Sequence, residues 1–367
     1  MTEPKRVLCI VSVMDAGGAE TFLMKIYRKL DRSRYQMDFC VNVPEKGLYD
    51  DEIRAMGGRL YVVPCKSEDL AGFRRGLTDV VRQGGYQYVL RVTSNAMGFY
   101  DLKLAKDAGA RRCIARSSNS SDGGGLKAWA AQRLGRLLYG RYVDVRLAPS
   151  EPAARYTFGD AAWERGEVRL LHNAVDLDAY AYSEEARRAV RAELGIGGGT
   201  LAAGHIGRFS RQKNHAFLLR CFAALHEKRP DSVLLLAGKG ELLEQTEALA
   251  RELGLADSVI FTGVRSDVPR LLSAMDVLVF PSLYEGMPNT VIEAQATGLT
   301  CIVSDTVTRE ADITGLIEYL PLGDPAAWAE AALSAAAAGR RDTRECFYRC
   351  GYDADSAAAE FRRLIFE

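Results

Sequence analysis

Short runs rich in Val, Ile and Leu recur along the whole chain, and each is followed by a longer stretch with amphipathic spacing. Continuous apolar runs of this length suit strands covered on both faces. Parallel strands need helical crossovers, so the alternation specifies a doubly wound α/β sheet. In the first half the expected strands are 7–13, 37–43, 60–63, 88–92, 113–116, 146–148 and 169–171. The pattern breaks at HNAVDLDAY (172–180), passes through the charged helix SEEARRAVRAELG and the flexible GIGGGT, and then restarts. The second set of strands is expected at 201–206, 233–237, 259–261, 277–280, 301–303 and 317–320, with a final helix over 353–367. At 367 residues the chain exceeds what one core organises, so two domains in tandem are expected: 1–172 and 173–350, followed by a closing segment, 351–367.

Composition narrows the class. With 48% hydrophobic and 26% charged residues the chain is an ordinary globular protein and disorder is excluded. VLCIVSVM is too short to span a membrane, lacks a processing site and reads as a first strand. The eight cysteines are scattered without zinc spacing, which points to reduced, packed thiols in the cytoplasm. Residues 1–172 hold 28 Lys plus Arg against 20 Asp plus Glu, a net of +8, balanced by −8 in the remainder. That asymmetry suits an anionic partner for the first half, and it is also what unevenly distributed solvated charge looks like.

In an open α/β sheet, ligands bind beyond the carboxyl ends of the strands, so the residues after each strand carry the functional reading. The first turn, SVMDAGGAETF, puts Gly17 and Gly18 between strand and helix, where bare amides can approach a phosphate or sugar; a purely conformational role fits equally well. It is not a G-x-G-x-x-G, which disfavours a dehydrogenase. In GHIGRFSRQKNH (204–215), Arg208 and Lys213 both follow a strand end and can converge on a diphosphate. AGKGEL offers a further close-approach turn at Gly238 and Gly240. In PSLYEGMPNTVIEAQATG (281–298), Glu285 lies in the loop after a strand, Asn289 or Thr290 is placed to cap the next helix, and Glu293 sits one turn inside it. Gly286, Met287, Asn289 and Thr290 supply amides, whereas Pro288 has none. Carboxylates repel phosphate and suit sugar hydroxyls, so cations and amides on one side and acids on the other describe a nucleotide-sugar site. DxD strings occur at Asp176–Asp178, read as part of the junction, and at Asp353–Asp355, read as a helix cap; no metal is expected.

These blocks (AGGAE, HNAVDLDAY, GRFSRQKNH, AGKGEL and FTGVRSDVPRLLSAMDVLVFPSLYEGMPNTVIEAQATG) together resemble the GT-B glycosyltransferases of family 4, in particular those of bacterial capsular and exopolysaccharide biosynthesis. The resemblance runs nearly the length of the chain and is most specific in the last block, with its E-x7-E spacing. It implies a GT-B fold of two Rossmann-like domains facing a cleft, with residues 351–367 crossing back to the first. The implied reaction is retaining transfer of a hexosyl or N-acetylhexosaminyl group from a nucleotide diphosphate donor, UDP by resemblance, without metal or other cofactor. Arg208 and Lys213 would bind the diphosphate, Glu293 the ribose and Glu285 a donor-sugar hydroxyl. Gly286 and Met287 would offer amides, and Gly17 and Gly18 would approach from the other domain. The expected partners are the nucleotide-sugar, a glycan or polyprenyl-diphosphate-linked acceptor, and the anionic inner face of the membrane as a peripheral contact, with no nucleic acid.

One departure stands out. Similar enzymes carry histidines in a run like AHSHN, where this chain reads ARSSN (115–119), with Arg116 and Ser118 in the histidine positions. Arginine cannot act as a base and serine is a poor one, so the implied catalytic set is Glu285, Arg208, Lys213 and Ser118. His172 and His205 also fall near strand ends. The alternatives are a nucleotide-sugar epimerase or hydrolase on the same architecture, or a catalytically silent nucleotide-sugar-binding member.

Overall fold

The structure is a computed structural model that describes residues 3–15, 17–118, 125–285 and 287–367, with the backbone alone at 126–128. It has two compact units, Met1–Ala174 with Gly351–Glu367, and Val175–Cys350. All thirteen expected strands form, with ends shifted by up to three residues.

The first unit is a seven-stranded parallel sheet of β1 (Lys5–Ile10), β2 (Tyr35–Val41), β3 (Leu60–Val62), β4 (Tyr88–Thr93), β5 (Arg112–Ser117), β6 (Val145–Ala148) and β7 (Val168–Leu170), in the order β3-β2-β1-β4-β5-β6-β7. Side chains of a strand alternate between faces, and β1 uses both. Val7 and Cys9 join a core with Phe22, Met24, Phe361 and Ile365, while Leu8 and Ile10 join another with Phe73, Leu77, Phe99 and Leu102. The last helix, Ala354–Phe366, belongs to this unit. Asp353 caps it by accepting from the Ser356 amide at 2.7 Å, and Phe366 packs against the rings of Tyr35 and Tyr88 at 4.9 and 5.2 Å.

The second unit is a six-stranded parallel sheet of β8 (Leu201–Ile206), β9 (Ser232–Ala237), β10 (Val259–Gly263), β11 (Val277–Phe280), β12 (Cys301–Ser304) and β13 (Ile317–Leu320), in the order β10-β9-β8-β11-β12-β13. Its core gathers Leu234, Leu236, Val277 and Val279 with Leu218, Phe222 and Trp328. Asp276, just before β11, binds Arg187 at 2.6 Å, Arg191 at 3.2 Å and the Ala202 amide at 2.8 Å, fastening the helix Glu184–Glu193 to the sheet.

In both orders the chain leaves a central strand in one direction and then in the other. The reversal falls between β1 and β4 in the first sheet and between β8 and β11 in the second. Loops on either side of such a switch point diverge and leave a crevice at the carboxyl edge.

Candidate functional site

In the second unit the loops leaving β8 and β11 carry the motif residues, and they meet. Lys213 Nζ lies 2.6 Å from Glu285 Oε1, with the two side chains only 16% and 10% exposed. The ammonium also sits over the Phe280 ring, 4.5 Å from its centroid. Main chain fixes this meeting: Leu283 donates to the Gln212 carbonyl at 2.8 Å, and the Gln212 side-chain amide donates to the Tyr284 carbonyl at 2.9 Å. Residues 211–213 form one 3₁₀ turn, ended by Asn214 in the left-handed conformation at φ 56°. Asn214 is the sole non-glycine with positive φ among the described residues. Asparagine tolerates that conformation better than most residues, and such backbone is concentrated at functional sites.

Glycine permits the close approach of the β8 and β9 loops. A Cβ on Gly238, at φ 146°, would stand 2.0 Å from the Gly207 carbonyl oxygen, and one on Gly240 would stand 2.3 Å from the Phe209 carbonyl oxygen. Phe209 donates its amide to the Lys239 carbonyl at 3.0 Å, closing the pair of loops. Between them Arg208 is exposed, with no ion pair among the described residues. A pinned ammonium and a free guanidinium thus flank the switch point.

The loop after β11 is tied to the loop after β12: the Ser304 and Thr306 hydroxyls both donate to the Ser282 carbonyl, at 2.6 and 2.9 Å, and Glu285 pairs with Val307 in an isolated parallel bridge. The helix that follows, Asn289–Ala296, has Pro288 at its cap position, with no side-chain cap. This corrects the expectation that Asn289 or Thr290 caps it: both are already helical, because proline's fixed φ starts the helix directly after it. The first intrahelical bonds are donated by Val291 and Ile292 to the Pro288 carbonyl, so the amides of Asn289 and Thr290 precede that ladder. Glu293 is half-buried on this helix, as is Met287 before it; Gly286 lies outside the described residues. A Schellman motif ends the helix, with Leu299 donating to Ala294 and Gly298, at φ 72°, donating to Gln295.

Behind Lys213 lies a layer that motif reading does not identify. His205, wholly buried on β8, takes its Nδ1 to the Val279 carbonyl at 2.9 Å and stacks on Phe280. His215 stacks on Phe209 at 4.2 Å and meets His205 edge-on at 4.9 Å. Burial, and then neighbouring positive charge, holds His205 well below the usual histidine range; burial and Lys213 bring His215 to about 4. Both rings are neutral packing at physiological pH. They carry the phenylalanine and the lysine loop rather than a proton.

In the first unit, Gly17 caps the helix Gly18–Lys29 and its amide donates to the Asp15 carbonyl at 2.8 Å. The Glu20 carboxylate folds over this end, 2.2 Å from where a Gly17 Cβ would stand. Burial raises the Glu20 pKa; its own backbone amide opposes this and Asp15 reinforces it. AGGAE therefore joins a glycine turn to an acid, a pairing that the glycines alone do not signal. Arg116 is buried, donating to the Leu171 carbonyl at 3.2 Å and Asn173 Oδ1 at 2.7 Å, with its guanidinium 3.7 Å over the Phe22 ring; burial lowers its pKa to about 9. Ser118 donates its amide to the Thr93 carbonyl at 2.9 Å. His172 stacks on Tyr352 and holds the Pro149 carbonyl, while burial lowers its pKa. In the junction, Asp176 Oδ1 accepts from the Asp178 and Ala179 amides, and Asp178 pairs with Arg344. Among the described residues, no cluster of three or more His, Cys, Asp or Glu is placed to hold a metal ion.

Comparison with known proteins identifies the family and the fold. A family profile described as "Glycosyl transferases group 1" matches residues 201–337. EpsF of Bacillus subtilis (strain 168), a protein named as a glycosyltransferase, is 39% identical over 361 residues, covering 95% of this chain and 93% of EpsF. A UDP-Gal:alpha-D-GlcNAc-diphosphoundecaprenol alpha-1,3-galactosyltransferase of Escherichia coli is 34% identical over 142 residues, 38% of this chain and 37% of that protein. Among solved structures, Anabaena Alr3699/HepE, determined in complex with UDP and glucose, superposes with a TM-score of 0.77 at 18% identity, over 97% of this chain and 98% of that one. With a full-length relative at this level of identity and with the two doubly wound sheets described above, the chain belongs to the glycosyl transferases of group 1, the family-4 glycosyltransferases of GT-B fold.

Proposed function

We propose that the protein transfers a hexosyl or N-acetylhexosaminyl group, with retention of anomeric configuration, from a UDP-sugar to a glycan or polyprenyl-diphosphate-linked acceptor in surface polysaccharide biosynthesis. The observation that carries the reading is the Lys213–Glu285 pair at the β8/β11 switch point, beside exposed Arg208. Arg208, Lys213 and the amides of Met287, Asn289 and Thr290 take the donor diphosphate, with Gly286 completing that run. Glu293 takes the ribose. Glu285 grips a hydroxyl of the donor sugar, while Gly17, Gly18 and Ser118 serve the reaction from the first unit.

The chemistry follows from charge. As the glycosidic bond breaks, negative charge gathers on the departing diphosphate, and each positioned donor to such a developing anion is worth about 3 kcal/mol. The neutralising charge is assigned to Arg208, Lys213 and helix amides rather than to a metal ion. Glu285 holds the Lys213 ammonium oriented before donor arrives, so little reorganisation remains for the reacting complex. The acceptor hydroxyl attacks the anomeric carbon from the face the nucleotide leaves and passes its proton to the departing diphosphate oxygen, which preserves configuration.

The first unit, basic over residues 1–172, is proposed to rest on the anionic cytoplasmic leaflet, where a lipid-linked acceptor would be presented. Among the described residues no helix is long and apolar enough to cross a membrane. The test is incubation with UDP-sugars and a polyprenyl-diphosphate glycan. An α-linked product from an α-linked donor is expected. Release of UDP only in step with free sugar, without elongated acceptor, would instead identify a hydrolase.

A further inference from the structure

The helix Leu126–Tyr139 is turned inside out. Its exposed residues Trp129, Ala130, Arg133, Leu134, Leu137 and Leu138 recur at helical spacing and form one face. Trp129 is 55% exposed, Leu134 49%, Leu137 81% and Leu138 43%. The packed face carries Gln132, Gly135 and the half-buried Tyr139 instead of the leucines. Gln132 is buried and its Oε1 accepts from the Ala96 amide at 2.9 Å, and Gly135 lies so close to the same segment that a Cβ would stand 2.4 Å from the Ala96 carbonyl carbon. A helix in a water-soluble fold normally buries its apolar stripe, so an outward Trp-Leu-Leu-Leu face on a firmly docked helix is surface meant to be covered.

Charge identifies what covers it. The helix contains Lys127, Arg133 and Arg136 and no acid, within a half of the chain that carries a net of +8. Arg133 lies over the Trp129 ring at 5.0 Å, keeping cation and indole together at one level. Isologous pairing of two copies would press identical basic faces together, whereas a bilayer offers acyl chains to the leucines, the interface to tryptophan and anionic headgroups to the arginines. We propose that this face inserts into the surface of an anionic bilayer, lying in the plane of the headgroups. The inference deepens the proposed membrane attachment by naming the surface responsible.

The experiment is flotation of the full chain with vesicles of phosphatidylcholine and phosphatidylglycerol, compared with phosphatidylcholine alone. The wild type is expected to float with the mixed vesicles, and Leu137→Glu, alone and combined with Leu134→Glu, to weaken partitioning about tenfold or more. Leu137→Ser should give a smaller loss in the same direction. The vesicle-induced blue shift of tryptophan emission should vanish in Trp129→Phe. Because these side chains face outward, the thermal response to UDP should be unchanged in every variant. A Leu137→Glu protein that floats like wild type overturns the assignment of this face while leaving attachment intact; a wild type that does not float overturns attachment itself. A wild-type dimer dispersed by Leu137→Glu, with no flotation, would make the face a contact between copies and overturn the bilayer as its occupant.

Discussion

Removing the ammonium of Lys213 separates its two assigned duties, holding Glu285 and binding diphosphate. In Lys213→Met the aliphatic stem still packs on Phe280, but Glu285 loses the cation 2.6 Å away while only 10% exposed. Stripping one partner from a buried pair costs about 3–5 kcal/mol. Here both groups keep some access to water, so the expectation is about 2–3 kcal/mol, at or below the lower end of that range. For a unit of this size that corresponds to a fall in Tm of about 4–12 °C. Much of the cost is the orphaned carboxylate, so adding Glu285→Gln to Lys213→Met should recover stability rather than lose more. Ligand binding gives the second half of the test. UDP should raise the Tm of wild type and of Glu285→Gln, whose proposed role is on the sugar, and should barely shift Lys213→Met. Scanning fluorimetry of the four proteins with and without UDP reads both effects. Additive destabilisation by the two substitutions would mean that Lys213 does not hold Glu285, and an undiminished UDP response in Lys213→Met would mean that it does not bind the diphosphate.

Gly238→Ala should destabilise the second unit by at least about 2–3 kcal/mol, because the new Cβ would fall 2.0 Å from the Gly207 oxygen at a φ that alanine avoids; chemical denaturation measures it. Stability should also fall in acid. His215 has a folded pKa of about 4, below the unfolded value near 6.5, so the unfolded chain binds more protons as pH drops through 6.5. The loss should grow from about pH 6.5 to about pH 4 and reach about 3 kcal/mol for His215. His205, shifted the same way, adds to it, and Lys213 faces both rings with like charge. Urea titrations at stepped pH should show a shallower slope in His215→Leu, and an unchanged slope would count against a neutral buried ring. In the first unit, Phe361→Ala, at a wholly buried position of the last helix, should cost about 3–5 kcal/mol by the same assay.

The sequence made the strands legible because a fully covered strand has only one composition available to it, and all thirteen short apolar runs became strands. Cys9, Cys40, Cys113 and Cys301 fall in those strands and are buried. The ends were less legible: β1 begins two residues earlier and ends three residues sooner than the expected 7–13, since pairing rather than hydrophobicity decides where a ladder stops. Motif spacing brought Lys213 and Glu285 to the correct loops, but not their direct pairing, which joins side chains 72 positions apart. The start of the helix at Asn289 was misread because Asn and Thr are good caps in isolation, whereas the proline before them decides the register. Glu20 over Gly17 and the His205–His215 layer depend on packing that no local pattern encodes. The helix at 126–139 marks the same limit. Periodicity reveals two faces, but only the contacts of Gln132 and Gly135 reveal which of them is turned inward.

The proposed function puts a nucleoside diphosphate at the β8/β11 switch point, gripped through its phosphates. Calorimetric titration of UDP into wild type and Arg208→Ala tests it most directly, because Arg208 is exposed and its loss should leave the fold untouched. UDP affinity should drop about 100-fold, equivalent to roughly 3 kcal/mol. Equal affinities in the two proteins would contradict it.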